Sequence, residues 1–157
     1  MKNILFTLAL LISFSSFGQS FSLDDLKELD SFEKVKLFCF ENGFAKMSDG
    51  ATKSIYEKEI PDNIYFETKT MTLTFFGTGT WEIEFPKYSD GSSNTTFNNI
   101  LNEVKKECEF RMVLEDGGEY ICYSCPNSFF EKGLGNSYIG FKRKKSSDVV
   151  SIVLSID

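Results

Sequence analysis

The sequence predicts an α+β fold: two tandem α-β-β-β-β repeats whose antiparallel sheet or sheets carry the helices on one face. Three observations lead there. Several short segments alternate apolar and polar residues with period two, the pattern of strands wetted on one side. Two stretches carry an apolar stripe at helical spacing. The order of motifs then recurs once, about 65 residues further along the chain.

The chain opens with Lys2 and an apolar run from Ile4 to Phe14, broken only by Thr7 and Ser13. Small residues follow, with Ser16 and Gly18 at positions −3 and −1 of a cleavage before Gln19. This is the layout of a secretory signal peptide. A membrane-spanning helix needs about 20 apolar residues, and the run stops short of that. A lipoprotein signal needs a cysteine at the cleavage point, but the first cysteine is Cys39. Residues 1–18 are therefore expected to be removed. Residues 19–157 should form a single domain of two repeats, at about 22–87 and 94–157, working in the periplasm or outside the cell. No transmembrane segment is expected after cleavage.

The first repeat starts with Ser22 to Leu29, short helical turns with Leu23, Leu26 and Leu29 directed inward. Asp30 and Glu33 fit a capping box ahead of a helix whose stripe is Phe32, Val35 and Cys39, with Phe38 beside it. Asn42-Gly43 is its stop signal. Further on, Met71, Leu73 and Phe75 alternate with Thr70, Thr72 and Thr74. Across Gly77-Thr78-Gly79, Trp81, Ile83 and Phe85 alternate with Glu82 and Glu84, which makes a hairpin with one wet face. Lys87 to Asn94, rich in Ser, Asp and Gly, reads as the linker.

In the second repeat Phe97, Ile100, Leu101, Val104 and Cys108 share one helical face. Asp116-Gly117-Gly118 joins a strand from Phe110 to Leu114 with one from Glu119 to Tyr123. The last hairpin runs from Tyr138–Arg143 into Val149–Ile156. Motifs pair across the halves in order: Phe44-Ala45-Lys46-Met47 with Phe110-Arg111-Met112-Val113, then Tyr65-Phe66-Glu67 with Phe129-Phe130-Glu131. A helix stripe and a sheet face bury each other, giving a two-layer unit. In layout alone, this resembles tandem-repeat folds such as the β-lactamase-inhibitor proteins and the TATA-binding-protein fold. Such a likeness implies an architecture and no function.

Composition excludes several functions. The chain has no histidine, which removes Ser-His-Asp and Cys-His catalysis, His-ligated zinc and the common base near neutral pH. Loss of Lys2 with the signal leaves 16 basic against 23 acidic residues, net −7. Such a chain repels nucleic acid and anionic lipid unless it has a strong local basic patch. Lys142-Arg143-Lys144-Lys145 is the one candidate, and its setting between two strands reads as a solvated hairpin tip. Neither a metal nor another cofactor is expected.

The four cysteines, Cys39, Cys108, Cys122 and Cys125, are disulfide candidates because their count is even and the expected compartment is oxidising. A bridge from Cys108 to the Cys122/Cys125 pair is the first expectation, with Cys39 able to pack as a buried free thiol. The alternative is a redox C-x-x-C, but here the motif closes a strand and runs into Pro126 instead of opening a helix.

Other features are weaker pointers. Glu82 and Glu84 share a strand face about 7 Å apart, a spacing that glycosidases use but that solvated strands also show. Asn94-Thr95-Thr96 is a glycosylation sequon, relevant only in a eukaryote. Tyr65, Phe66, Phe129 and Phe130 form adjacent aromatic pairs, so one of each pair should point away from the core as a possible interaction surface. The expected function is a non-enzymatic binding module of the envelope or extracellular space, with another protein or an envelope component as partner and no nucleic acid. The alternatives are a thiol-disulfide oxidoreductase using Cys122 and Cys125, or a structural envelope protein.

Overall fold

The computed structural model describes residues 21–50, 52–62, 68–76, 80–115, 119–126, 137–143 and 147–156. The expected signal segment lies outside them. The fold is α+β, with one eight-stranded antiparallel sheet and three helices among the described residues.

Helix α1 spans Leu23–Lys27 and begins in a capping box, in which the Ser22 hydroxyl accepts from Asp25 N while the Asp25 carboxylate accepts from Ser22 N. Leu23, Leu26 and Leu29 are buried, as their spacing predicts. Helix α2 spans Phe32–Glu41. Its cap is Ser31, extended at φ −148° and accepting from Lys34 N, so the expected box of Asp30 and Glu33 does not form. Asp30 instead pairs with Lys34 Nζ at 3.3 Å. At the other end Gly43 takes φ +73°, and Phe44 N donates to Cys39 O at 2.8 Å, which turns the chain into β1. Helix α3 spans Thr95–Glu107 and is capped by Asn94, whose side chain accepts from Thr96 N. Cys108 is already extended, so α3 passes directly into a strand.

The first four strands are β1 (Ala45–Asp49), β2 (Lys53–Pro61), β3 (Thr68–Phe76) and β4 (Thr80–Pro86). The last four are β5 (Glu109–Glu115), β6 (Glu119–Cys125), β7 (Ser137–Arg143) and β8 (Val149–Ile156). Their order is β1-β2-β3-β4-β8-β7-β6-β5, every neighbour antiparallel. Two meanders thus run inward from opposite edges and join at the centre through β4 and β8. In the β1–β2 pair the register shifts between Lys46 and Ser48; in the β5–β6 pair it shifts between Phe110 and Met112. Each edge strand therefore carries one extra residue, Met47 or Arg111, two positions after its start.

Alternation sends one residue set of each strand to an inner face. The row Phe75–Trp81–Leu154–Ile139–Tyr123 crosses five strands, and all five side chains are buried. Helical aromatics meet this face: Phe32 lies edge-on to Phe75 at 4.6 Å, and Phe97 sits between Phe85 and Phe141 at 5.9 and 5.7 Å. Phe21 contacts Phe38 and Phe85 at 5.3 and 5.9 Å. The result is one Phe-rich core, in which each fully buried large side chain contributes about 1.5–3 kcal/mol of transfer free energy.

The linker from Lys87 to Asn94 is anchored through Asp62, whose side chain is fully buried. Its carboxylate accepts from Ser89 N at 3.0 Å and Ser89 Oγ at 2.5 Å, and pairs with Lys69 Nζ at 3.1 Å. Gly91 supplies the positive φ, +79°, that the turn requires.

Candidate functional site

The opposite face of the sheet is the candidate site, because no described element covers it. Eight strands at a spacing of about 4.8 Å make it roughly 35 Å wide. Along β3 and β4 it presents Thr70, Thr72, Thr74 and Phe76, then Thr80, Glu82 and Glu84. One row crosses the seam between the meanders as Glu57–Thr72–Glu84–Ser151–Lys142–Tyr120. A parallel row runs Ile55–Thr74–Glu82–Val153–Gly140–Cys122. Most of these side chains are half-exposed, neither packed away nor fully solvated.

Charge on this face is divided. Glu82 and Glu84 stand side by side near the centre, and neither makes an ion pair with a described residue. Burial and the neighbouring Glu82 raise the Glu84 carboxyl above its ordinary range, against the opposing pull of Lys142 and Lys53. Lys142 lies over the Tyr120 ring at 5.0 Å, and the Tyr120 hydroxyl beside it raises its ammonium. Lys53 sits over Phe76 at 5.5 Å. Gly140 leaves a side-chain-free floor on β7, where an added Cβ would lie 3.8 Å from Tyr120 and 3.9 Å from Cys122 Sγ. The face thus combines carboxylates, aromatic rings with cations above them, and a shallow floor.

The cysteines divide between the two faces. Cys108 at the end of α3 is bonded to Cys125 at the end of β6, with Cα atoms 4.4 Å apart. Cys122 lies three residues from Cys125 on the same strand, so it points to the open face and is free. The C-x-x-C therefore does not hold a dithiol pair. Burial raises the Cys122 thiol, the opposite of what an attacking thiolate needs. Cys39 is free and buried in the core, its thiol pushed up to about 12 by burial.

Tyr65, Phe66, Phe129 and Phe130 lie outside the described residues. Of the adjacent pair Phe75-Phe76, Phe75 is core and Phe76 faces outward under Lys53. The basic run also splits: Lys142 faces the open side, while Arg143 stacks on Phe97 at 5.4 Å on the inner side. Asn94 is buried, with its carbonyl committed to the α3 cap, so the sequon's acceptor is inaccessible in the fold. A cleft of about 270 Å³ lies between α2 and β1, walled by Phe32, Lys36 and Tyr56 and by the ion pair of Lys46 and Asp49. No cluster of three or more potential metal ligands occurs among the described residues.

Sequence reasoning missed one group. Phe110, Met112 and Val113 are 59, 47 and 46% exposed on β5, a strand whose burial the sequence pattern leaves unassigned. Nothing local reveals that β5 is an edge. Leu37 and Phe40, also exposed, lie on the outer side of α2 away from its buried stripe.

Compared with known proteins, the chain matches no family model, and no curated sequence or solved structure is significantly similar to it.

Proposed function

We propose that this is an exported, non-enzymatic binding module whose open sheet face receives a protein or envelope partner. The observation that carries the reading is the breadth of that face: eight strands wide, mostly half-exposed along its central rows, and mixing Glu82, Glu84 and Lys142 with Tyr120, Phe76 and Val153. A face of this composition matches interfaces, which pair aromatic contact area with polar groups that set register. The Cys108–Cys125 bridge and the layout from Lys2 to Gly18 support an extracytoplasmic setting. No described helix is long and apolar enough to cross a membrane. A net negative charge argues against nucleic acid as the partner.

The same reading takes the two halves as tandem copies with their helices on one side. Each half runs helix, edge strand, then three strands inward, and each edge strand carries its extra residue at the same place. By register, Ala45 corresponds to Glu109 and Glu57 to Ser124, which sets Phe44 opposite Cys108 and Lys58 opposite Cys125. Lys58 Nζ lies over the Phe44 ring at 5.9 Å, so a cation–π contact occupies in one half the place of the disulfide in the other.

The test is site-directed photo-crosslinking in the native exported fraction. Probes at Thr74 and Tyr120 should trap one partner saturably, a probe at Phe40 should not, and Glu82→Lys with Glu84→Lys should abolish capture. Capture confined to Phe40 would displace the site to the helices, and turnover on a substrate panel would overturn the non-enzymatic reading. The oxidoreductase alternative is disfavoured by Cys122 and Cys125 lying on opposite faces. A purely structural envelope role would leave all three probes without a saturable partner.

A further inference from the structure

We propose that the cleft between α2 and β1 binds a small zwitterion with an apolar body, of which a free α-amino acid is the simplest. Lys36 would hold its carboxylate and Asp49 its ammonium, with the apolar body over Phe32 and Tyr56. The cleft lies on the helix side of the sheet, away from the open face, and encloses about 270 Å³. That is just under the roughly 300–1,000 Å³ of sites for drug-sized ligands, which suits one amino acid better than a peptide. Around the two aromatic walls stand four charges, Glu33 and Asp49 against Lys36 and Lys46. An anion would meet two carboxylates and a cation two ammonium groups. A ligand carrying both charges complements the walls.

The Asp49 carboxylate is held in place for such a role. Ser54 is fully buried, and its hydroxyl donates to Asp49 Oδ1 at 2.9 Å. Lys46 pairs with the other oxygen, Oδ2. Lys46 and Ser54 hold the Asp49 carboxyl below its ordinary range, and the nearby Lys36 adds to the effect. The carboxylate is thus ionised and fixed in direction, with acceptor capacity left for an ammonium group. Lys36 and Glu33 make no ion pair with any described residue.

The second half shows that the fold does not require these charges. Taken as tandem copies, the halves match Phe32 on Phe75 with Phe97 on Phe141, both edge-on, at 4.6 and 5.7 Å. Strand register then sets Lys46, Asp49 and Ser54 against Phe110, Val113 and Ile121, and Tyr56 against Tyr123. Along the helices Lys36 falls at Leu101, which is buried, and Glu33 at Asn98. The aromatic walls are common to both halves. Both lysines, the aspartate and its serine belong to the first half alone.

Isothermal titration calorimetry of the purified protein with L-leucine, L-phenylalanine and L-methionine tests this. At least one should bind with a Kd on the order of 0.1–1 mM, as befits a small ligand making few contacts. Its N-acetyl derivative lacks the ammonium and its amide lacks the carboxylate, so each should bind at least about tenfold more weakly. Lys36→Leu, which copies the second half, should also cost at least about tenfold, with circular dichroism verifying the fold. Lys106→Leu, at an exposed position on α3, should leave binding unchanged. Backbone amide NMR shifts should cluster at residues 32–36 and 46–50. Failure of all three amino acids to bind overturns the proposal. So does equal binding of the N-acetyl derivative or the amide, unaltered affinity in Lys36→Leu, or shifts confined to the open face. None of these readouts depends on capture of a partner at the open face, so the two proposals can fail separately.

Discussion

Glu84 illustrates how much one position depends on distant chain. Its outward direction is legible from the alternation with Ile83 and Phe85. Its environment is not, because Lys142 reaches it only through the β4–β8 and β8–β7 pairings. Burial and Glu82 raise the folded-state carboxyl above the ordinary 4.5, so the fold holds this proton more tightly than the unfolded chain does. Stability is consequently lost as pH rises through that raised value, and no penalty exists once both states are protonated. Glu84→Gln should stabilise by less than about 1 kcal/mol at pH 7, given the partial exposure. The gain should vanish near about pH 3, where carboxylates are protonated. Urea titrations at the two pH values check this; a variant less stable at pH 7 would mean that Lys142 outweighs the burial. Asp62 shows the opposite treatment of a carboxylate, fully buried but matched by Lys69 and two Ser89 donors.

At the scale of elements, the helices and the hairpin strands β3 to β8 follow from the sequence patterns, whereas β1, exposed along its whole length, and β2 do not, and neither does the correspondence between halves. Sequence similarity aligns Phe44 with Phe110, whereas strand register places Phe44 with Cys108. The difference arises where α3 enters β5 directly, while α2 first turns through Asn42 and Gly43. No composition signal marks the bulges at Met47 and Arg111, since a bulge is defined only by the strand opposite. The register makes a specific prediction: Phe44→Cys combined with Lys58→Cys should form a second disulfide spontaneously on oxidation. Mass spectrometry after alkylation of the unfolded, unreduced protein reads the outcome: two alkylated thiols, Cys39 and Cys122, mark a formed second bridge, and four would refute the equivalence. Little net stabilisation is expected. Closing a loop of this size contributes about 3 kcal/mol, and losing the buried Phe44 ring offsets a similar amount.

For the molecule as a whole, the open question in the sequence was one sheet or two. The answer lies in the β4–β8 pairing, between segments about 70 residues apart, where periodicity carries no information. Helix α1 adds a second link, since Leu23 N donates to Glu103 at 3.2 Å and Lys27 pairs with Glu107 at 3.0 Å on α3. Two halves joined in this way should unfold together. Trp81, the one tryptophan, lies in the first half, and Ile139, buried on β7, lies in the second. Ile139→Ala should cost about 3 kcal/mol and lower the denaturation midpoint seen by Trp81 fluorescence as much as that seen by far-UV circular dichroism. Separate midpoints would show two independent units. The inward course of both meanders also bears on when folding can happen. Strand β8 is the last described strand along the chain, yet it occupies the middle of the sheet. Until residues 149–156 emerge, neither β4 nor β7 has its central neighbour, and the core of Ile83, Ile152 and Leu154 cannot close. A polypeptide threaded through a membrane in the unfolded state would thus be protected from premature collapse by its own strand order, and would gain its final shape only on arrival.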